Sequence, residues 1–116
     1  MRYTKDFKLE QQNFGIQIEA LFEQLGAVKS TERYGLTMQT KVGPYHVNIY
    51  PGDSKTELGW VAGRFDNILA AQQLLGKGMY DPGSVGLSGK WNHHFFEGWT
   101  AEMAVAEMKR QLQKIL

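Results

Sequence analysis

The apolar residues of this chain change their spacing along the sequence, and that change most constrains the fold. Over residues 9–25 they recur every three or four positions, as on one face of an amphipathic helix that Gly26 would end. From Tyr34 onward they alternate with polar residues, as in a half-buried strand. A helical stripe followed by alternation predicts a helix packed on a sheet.

Turn signals divide the alternating region into three predicted strands. Residues 34–42 and 45–49 flank Gly43 and Pro44, so we expect them to form a β-hairpin. A second turn signal over residues 51–54 precedes a third strand at residues 58–65. Tyr45, Val47 and Ile49 share one face of the second strand by their spacing.

The C-terminal half is predicted to add a short helix, a fourth strand and a long helix. Asp66 is placed to cap a helix over residues 67–75, which Gly76 is expected to end. Residues 90–96 are strand-like, and Thr100 is placed to cap a helix over residues 101–115. The sequence therefore predicts one α+β domain of order α-β-β-β-α-β-α, with a mostly antiparallel four-stranded sheet. Its predicted core comprises Phe14, Ile18, Leu21, Phe22, Val47, Ile49, Trp60, Met108 and Leu112.

Composition excludes several classes of function. Thirteen Lys and Arg against twelve Asp and Glu leave a net charge of +1, which suits neither a strong DNA binder nor an acidic DNA mimic. The absence of cysteine excludes disulfides and thiolate metal ligands. The N-terminus lacks the apolar core of a signal peptide, and no apolar run approaches the ~20 residues that cross a bilayer. We expect a cytoplasmic protein without a membrane partner.

The candidate motifs for chemistry predict no catalytic residue, metal or cofactor. His93 and His94 are adjacent on a predicted strand, so they point to opposite faces and cannot easily chelate one ion. The segment GSVGLSGKW, residues 83–91, lacks the spacing of a phosphate-binding loop, and Trp91 stands where the magnesium-binding Ser or Thr would be. The carboxylates form no tight pair. A small hydrolase or nuclease that uses His93 or His94 with a carboxylate is the enzymatic alternative.

A Gly-rich segment over residues 76–89 is the most distinctive part of the sequence. Long loops of this kind inside compact domains are usually functional. Aromatic and basic residues surround it, a composition that suits a protein-binding hot spot or a stacking surface for single-stranded nucleic acid. The residues predicted to contact a partner are Arg64, Lys77, Tyr80, Lys90, Trp91, Asn92 and His94.

Two short motifs carry a resemblance. Gly63-Arg64-Phe65-Asp66 and, after a short Ala-rich segment, Ser88-Gly89-Lys90-Trp91-Asn92 resemble sequences of small uncharacterised proteins carried by phages and conjugative elements, over roughly residues 60–96. The resemblance implies a mobile-element origin and names no activity. Our leading hypothesis is a non-enzymatic accessory factor that binds a host protein complex, for example as an anti-CRISPR-like inhibitor of a defence system, or that self-associates. A nucleic-acid-binding module is the alternative.

Overall fold

A computed structural model describes residues 5–30, 35–52, 57–79 and 92–116. Its elements in chain order are α1 (Lys5–Gln24), β1 (Val28–Lys29), β2 (Leu36–Thr40), β3 (Gly43–Pro51), β4 (Glu57–Phe65), α2 (Ile68–Met79), β5 (Asn92–Glu97) and α3 (Ala101–Leu112). The strands form one sheet in the order β1-β2-β3-β4-β5, and each neighbouring pair is antiparallel. The predicted α+β class is confirmed.

The long helices cover one face of the sheet, which we call the core face. Helix α1 lies against β3 and β4 and packs against α3. The stripe of α1 is buried at Phe14, Ile18 and Phe22, and α3 buries Met108 and Leu112 in the same core. The helical spacing in the sequence therefore identified the residues that hold the helices on the sheet.

The strand register fixes which side chains face this core. Leu36 pairs with Val47 and Met38 pairs with Tyr45, and all four side chains are buried. From Trp60 to the end of β4, successive side chains point alternately to the opposite face of the sheet, which we call the outer face, and to the core face. A Cβ at Gly63 would lie 2.7 Å from Cε1 of Tyr45, so the glycine leaves room for that ring.

The sheet has five strands among the described residues, and the predicted count of four is wrong. The additional strand, β1, pairs with the start of β2 and is two residues long. A strand of two residues is too short for alternation to reveal. The hairpin between β2 and β3 also turns at Lys41 and Val42, whereas Gly43, with φ 98°, already belongs to β3.

The predicted boundaries of α2 need two corrections. Asn67 caps the helix, because its Oδ1 accepts from the Ala70 N–H at 3.1 Å, and Asp66 is engaged elsewhere. The helix also continues through Gly76 to Met79. A glycine in a helix interior costs about 1 kcal/mol relative to alanine but does not by itself end the helix. The other predicted cap is confirmed, since Thr100 accepts from the Met103 N–H at 3.2 Å.

Two of the predicted core residues are placed differently. Ile49 is partly buried and packs at the margin of the core. Trp60 lies on the outer face, as its pairing with Tyr50 and Phe95 shows. Among the described residues, no helix is both long and apolar enough to cross a bilayer.

Candidate functional site

Aromatic side chains from three neighbouring strands meet on the outer face. Tyr50 of β3 is directly opposite Trp60 of β4, and Trp60 is directly opposite Phe95 of β5. Their ring centroids lie 5.2 Å and 6.2 Å apart, with interplanar angles of 20° and 34°. The His93 ring stacks on Phe95 with a centroid distance of 5.8 Å. We call Tyr50, Trp60, Phe95 and His93 the aromatic row.

The aromatic row is accessible to solvent at both of its ends. Tyr50 is 41% exposed and Phe95 is 54% exposed, while Trp60 between them is half-buried. Single exposed aromatics are ordinary, but contiguous apolar surface on a folded domain commonly marks an interaction site. The aromatic row is therefore the candidate functional site.

A β-bulge shapes β4 just before Trp60. The register between β4 and β5 shifts between Glu57 and Trp60. The Glu57 carboxylate compensates for the lost ladder bonds, because its Oε1 accepts from the N–H of Phe96 at 3.1 Å and from that of Gly59 at 3.3 Å. The Glu57 side chain thereby fixes β5 beside β4, which sets the distance between Trp60 and Phe95.

The orientation of the rings indicates which partners they can bind. Tyr50 and Trp60 are stacked nearly parallel across neighbouring strands, so part of each ring face is already covered by the other ring. Surfaces that bind single-stranded nucleic acid offer free aromatic faces to the bases. Stacking within the row reduces the ring face that is free for bases.

A polar cluster lies further along the same face. His46 Nε2 lies 2.9 Å from Asp66 Oδ1, and His46 Nδ1 lies 3.0 Å from Thr37 Oγ1. When the neutral ring donates its Nε2–H to the carboxylate, Nδ1 accepts the hydroxyl proton of Thr37. His46 thus ties β2 to Asp66, which immediately precedes the cap of α2.

Serine hydrolases contain the same sequence of hydroxyl, imidazole and carboxylate, but the burial of the three groups differs between those enzymes and this chain. In those enzymes the orienting carboxylate is buried and the hydroxyl faces the substrate. In this chain the Asp66 side chain is 52% exposed and that of His46 only 15%. Thr37 is half-buried on β2, where it is paired with Val28 of β1 on one side and with His46 of β3 on the other. We therefore interpret His46 as a structural residue, and we call its two hydrogen bonds, to Thr37 and to Asp66, the His46 clip.

The structure places part of the predicted partner-binding set. Arg64 lies on the outer face opposite His46, whereas His94 lies opposite the buried Val61 on the core face. Lys77 belongs to α2 and Asn92 to β5, both described by their backbone alone. The remaining three, Tyr80, Lys90 and Trp91, lie outside the described residues. Arg64 and His94 are thus not brought together.

The histidines are distributed over different parts of the sheet. His93 pairs with Ala62 and His94 with Val61, at successive positions that point to opposite faces. His46 is on β3, which β4 separates from β5. Over the parts of the chain that are described, no three histidine or carboxylate side chains gather as metal ligands would.

The predicted partner-binding set contains none of the four members of the aromatic row. The sequence predicts Trp60 in the core, as one of the large apolar residues of the third strand. Instead, glycines at positions 59 and 63 face the core, where their lack of a side chain admits the rings of Phe14 and Tyr45. Tyr50 carried a usable signal, since it is out of phase with the inward-facing Val47 and Ile49.

Comparisons of the chain with protein-family models, with curated proteins and with solved structures each found no match. Any function assigned to this chain therefore depends on the residues of the site.

Proposed function

We propose that this chain is a non-enzymatic protein-binding domain and that the aromatic row is its interface. The observation that carries the proposal is the contiguity of Tyr50, Trp60 and Phe95 on the face opposite α1 and α3, with both end residues exposed. Aromatic residues are enriched among the few that dominate the energy of protein interfaces.

The packing of the row supports this use energetically. Each ring of the row contacts a neighbouring ring before any partner arrives. Side chains that are already ordered lose little rotational freedom on binding, so more of the burial energy contributes to affinity. The surrounding sheet, fixed by the Glu57 contacts and the His46 clip, keeps the row in place.

Within this proposal the partner is a host protein complex, and the chain is an accessory factor of a mobile genetic element that inhibits a defence system. The resemblance of the Gly63–Asp66 and Ser88–Asn92 motifs to phage and conjugative-element proteins supports the origin. The aromatic row supports the mode of action, since an inhibitor without catalytic groups acts by occupying a surface of its target.

The test compares variants of the two exposed aromatics with a matched control. Wild-type protein is used to capture partners from a bacterial lysate, and each captured protein is then purified for titration. Tyr50→Ala and Phe95→Ala are each expected to weaken binding of the captured protein to this chain about 30-fold or more, which corresponds to a hot-spot loss of ~2 kcal/mol. Ile16→Ala, which alters a 67% exposed apolar residue of α1, is the control and should leave the affinity unchanged.

Two outcomes would overturn the proposal. The first is a captured partner whose affinity is unchanged by both aromatic substitutions. The second is binding of labelled single-stranded DNA or RNA that weakens steeply between about 50 and 200 mM salt and requires Tyr50 and Phe95. That second result would establish the nucleic-acid alternative.

A further inference from the structure

The last strand of the sheet, β5, has an edge along which the described residues place no further strand. Natural proteins usually protect such an edge with lysine, proline, a bulge or a very short strand. β5 is six residues long, has the sequence NHHFFE and contains neither lysine nor proline. Its outer-face side chains are those of His93, Phe95 and Glu97, and Phe95 is 54% exposed.

Hydrogen bonds at both ends of the β3–β4 pair show which backbone groups of β5 point outward. The Gly52 N–H donates to the Leu58 carbonyl at 2.9 Å, and the Asp66 N–H donates to the Pro44 carbonyl at 3.3 Å. The even-numbered residues of β4 near its end therefore direct their backbone groups toward β3, and Val61 and Gly63 direct theirs toward β5.

The same alternation continues into β5. His94 is paired with Val61, so its backbone groups point toward β4. The Phe96 N–H also points that way, because it donates to the Glu57 carboxylate. The backbone groups of His93, Phe95 and Glu97 consequently point away from β4, toward the edge.

We propose that a second copy of this chain pairs with β5 in antiparallel orientation, with a two-fold axis through Phe95. An axis normal to the sheet keeps the outer face of both copies on the same side, so only residues of one face can be opposite each other. Phe95 is then opposite Phe95 of the second copy, and His93 is opposite Glu97 of the second copy. All three have outward-pointing backbone groups, as a hydrogen-bonded antiparallel pairing requires.

Side-chain complementarity selects this register. Moving the axis to residue 96 would place Glu97 opposite Phe95 and carry His93 past the end of the strand. With the axis at Phe95, each imidazole is opposite a carboxylate. The Nδ1 of His93 is buried without a hydrogen bond to the described residues, which favours the tautomer that carries its proton on Nε2. That N–H is the group available to the Glu97 carboxylate of the second copy.

The dimer would join the two aromatic rows across the axis. On each copy Phe95 is the last of the three rings that lie side by side across the strands, so the paired rings would extend this line from Tyr50 of one copy to Tyr50 of the other. This inference does not depend on the proposed function, because its test uses the protein alone.

The test introduces cysteines into a chain that has none. Copies that carry His93→Cys are mixed with copies that carry Glu97→Cys under mild oxidation. In the proposed register the two cysteines are directly opposite, about 5.5 Å apart between Cα atoms, within the range of a disulfide. Two copies of either variant alone would hold their cysteines about 13 Å apart, four residues along the strands. The mixture should form a disulfide-linked dimer, and each variant alone should remain monomeric on a non-reducing gel.

Charge substitution provides an independent readout on the reduced protein. Glu97→Lys places a cation opposite His93 and is expected to weaken the dimer at least tenfold in sedimentation equilibrium. Adding His93→Glu to the same chain creates an opposite-charge pair at this position and should restore the dimer. The proposal would be overturned if the wild-type chain stays monomeric at protein concentrations up to about 1 mM, because only very weak association escapes detection at that concentration. Equal cross-linking of the separate variants and of their mixture would overturn it as well.

Discussion

A methyl group added at Gly63 is expected to destabilise the fold through a single clash. A Cβ at this position would lie 2.5 Å from Cζ and 2.7 Å from Cε1 of Tyr45. The Tyr45 ring has little room to retreat, because it is 1% exposed and packs on Phe65 with a centroid distance of 4.4 Å. Phe22 of α1 lies on the same ring, 6.5 Å between centroids. The clash must therefore be relieved by moving β4 or α1.

The size of the change in the free energy of unfolding follows from two opposing effects. Overpacking a tight core costs up to about 3 kcal/mol. Replacing a strand glycine by alanine recovers up to about 1 kcal/mol of conformational entropy, since Gly63 does not have a positive φ. We expect Gly63→Ala to lower the free energy of unfolding by about 2 kcal/mol. For a chain of this size that corresponds to a fall in the melting temperature of roughly 8 °C.

Urea unfolding followed by circular dichroism measures this loss, and a double-mutant cycle assigns it. Tyr45→Leu removes the ring atoms that the new methyl would meet, at the cost of a cavity. In the Tyr45→Leu background, Gly63→Ala should cost less than about 0.5 kcal/mol or should stabilise the chain. The difference between the two backgrounds is the coupling energy of the pair, and residues in contact typically show a coupling of about 0.5–3 kcal/mol. Strictly additive losses would refute the reasoning, because they would show that Tyr45 does not cause the effect.

Three further predictions concern stability. Leu21→Ala should lower the free energy of unfolding by about 2–5 kcal/mol in the same urea assay, because Leu21 is only 6% exposed. Thr100→Ala should cost about 1 kcal/mol, since the N-cap bond to the Met103 N–H is lost; Thr100→Ser should retain it. Hydrogen bonds from Arg110 and then Gln111 lower the pKa of Glu107, so its contribution is present at neutral pH and lost as the pH falls through that lowered pKa. Melting curves of wild type and Glu107→Gln should therefore differ slightly at pH 7 and converge in acid.

The long elements could be predicted from the sequence because their signals are repeated. Phe14, Ile18 and Phe22 mark the same face of α1 over several turns, and each is fully buried in the structure. The position of Thr100 before an amphipathic stripe predicts an N-cap, and its hydroxyl oxygen accepts from the Met103 N–H as an N-cap does. Such patterns reflect only the local geometry of a helix or strand, so the spacing of residues in the sequence is enough to identify them.

The site could not be predicted in the same way, because it depends on which strands become neighbours. The spacing within β4 does not show that Gly59 and Gly63 face the core. The space beside these two glycines is occupied by aromatic rings from α1 and β3, which are distant in sequence. Trp60 is consequently displaced to the outer face, beside Tyr50 and Phe95. Asp66 likewise resembles a helix cap locally but is bound by His46 from another strand.

Oxidative footprinting of the protein with a captured partner tests the central claim most directly. Hydroxyl radicals modify exposed aromatic side chains, so Tyr50 and Phe95 should be labelled in the free chain. The proposed interface predicts that both become protected when the partner binds, while Leu69, 66% exposed on α2, is labelled equally in both states. Unchanged labelling of Tyr50 and Phe95 in a saturated complex would contradict the assignment of the aromatic row as the binding surface.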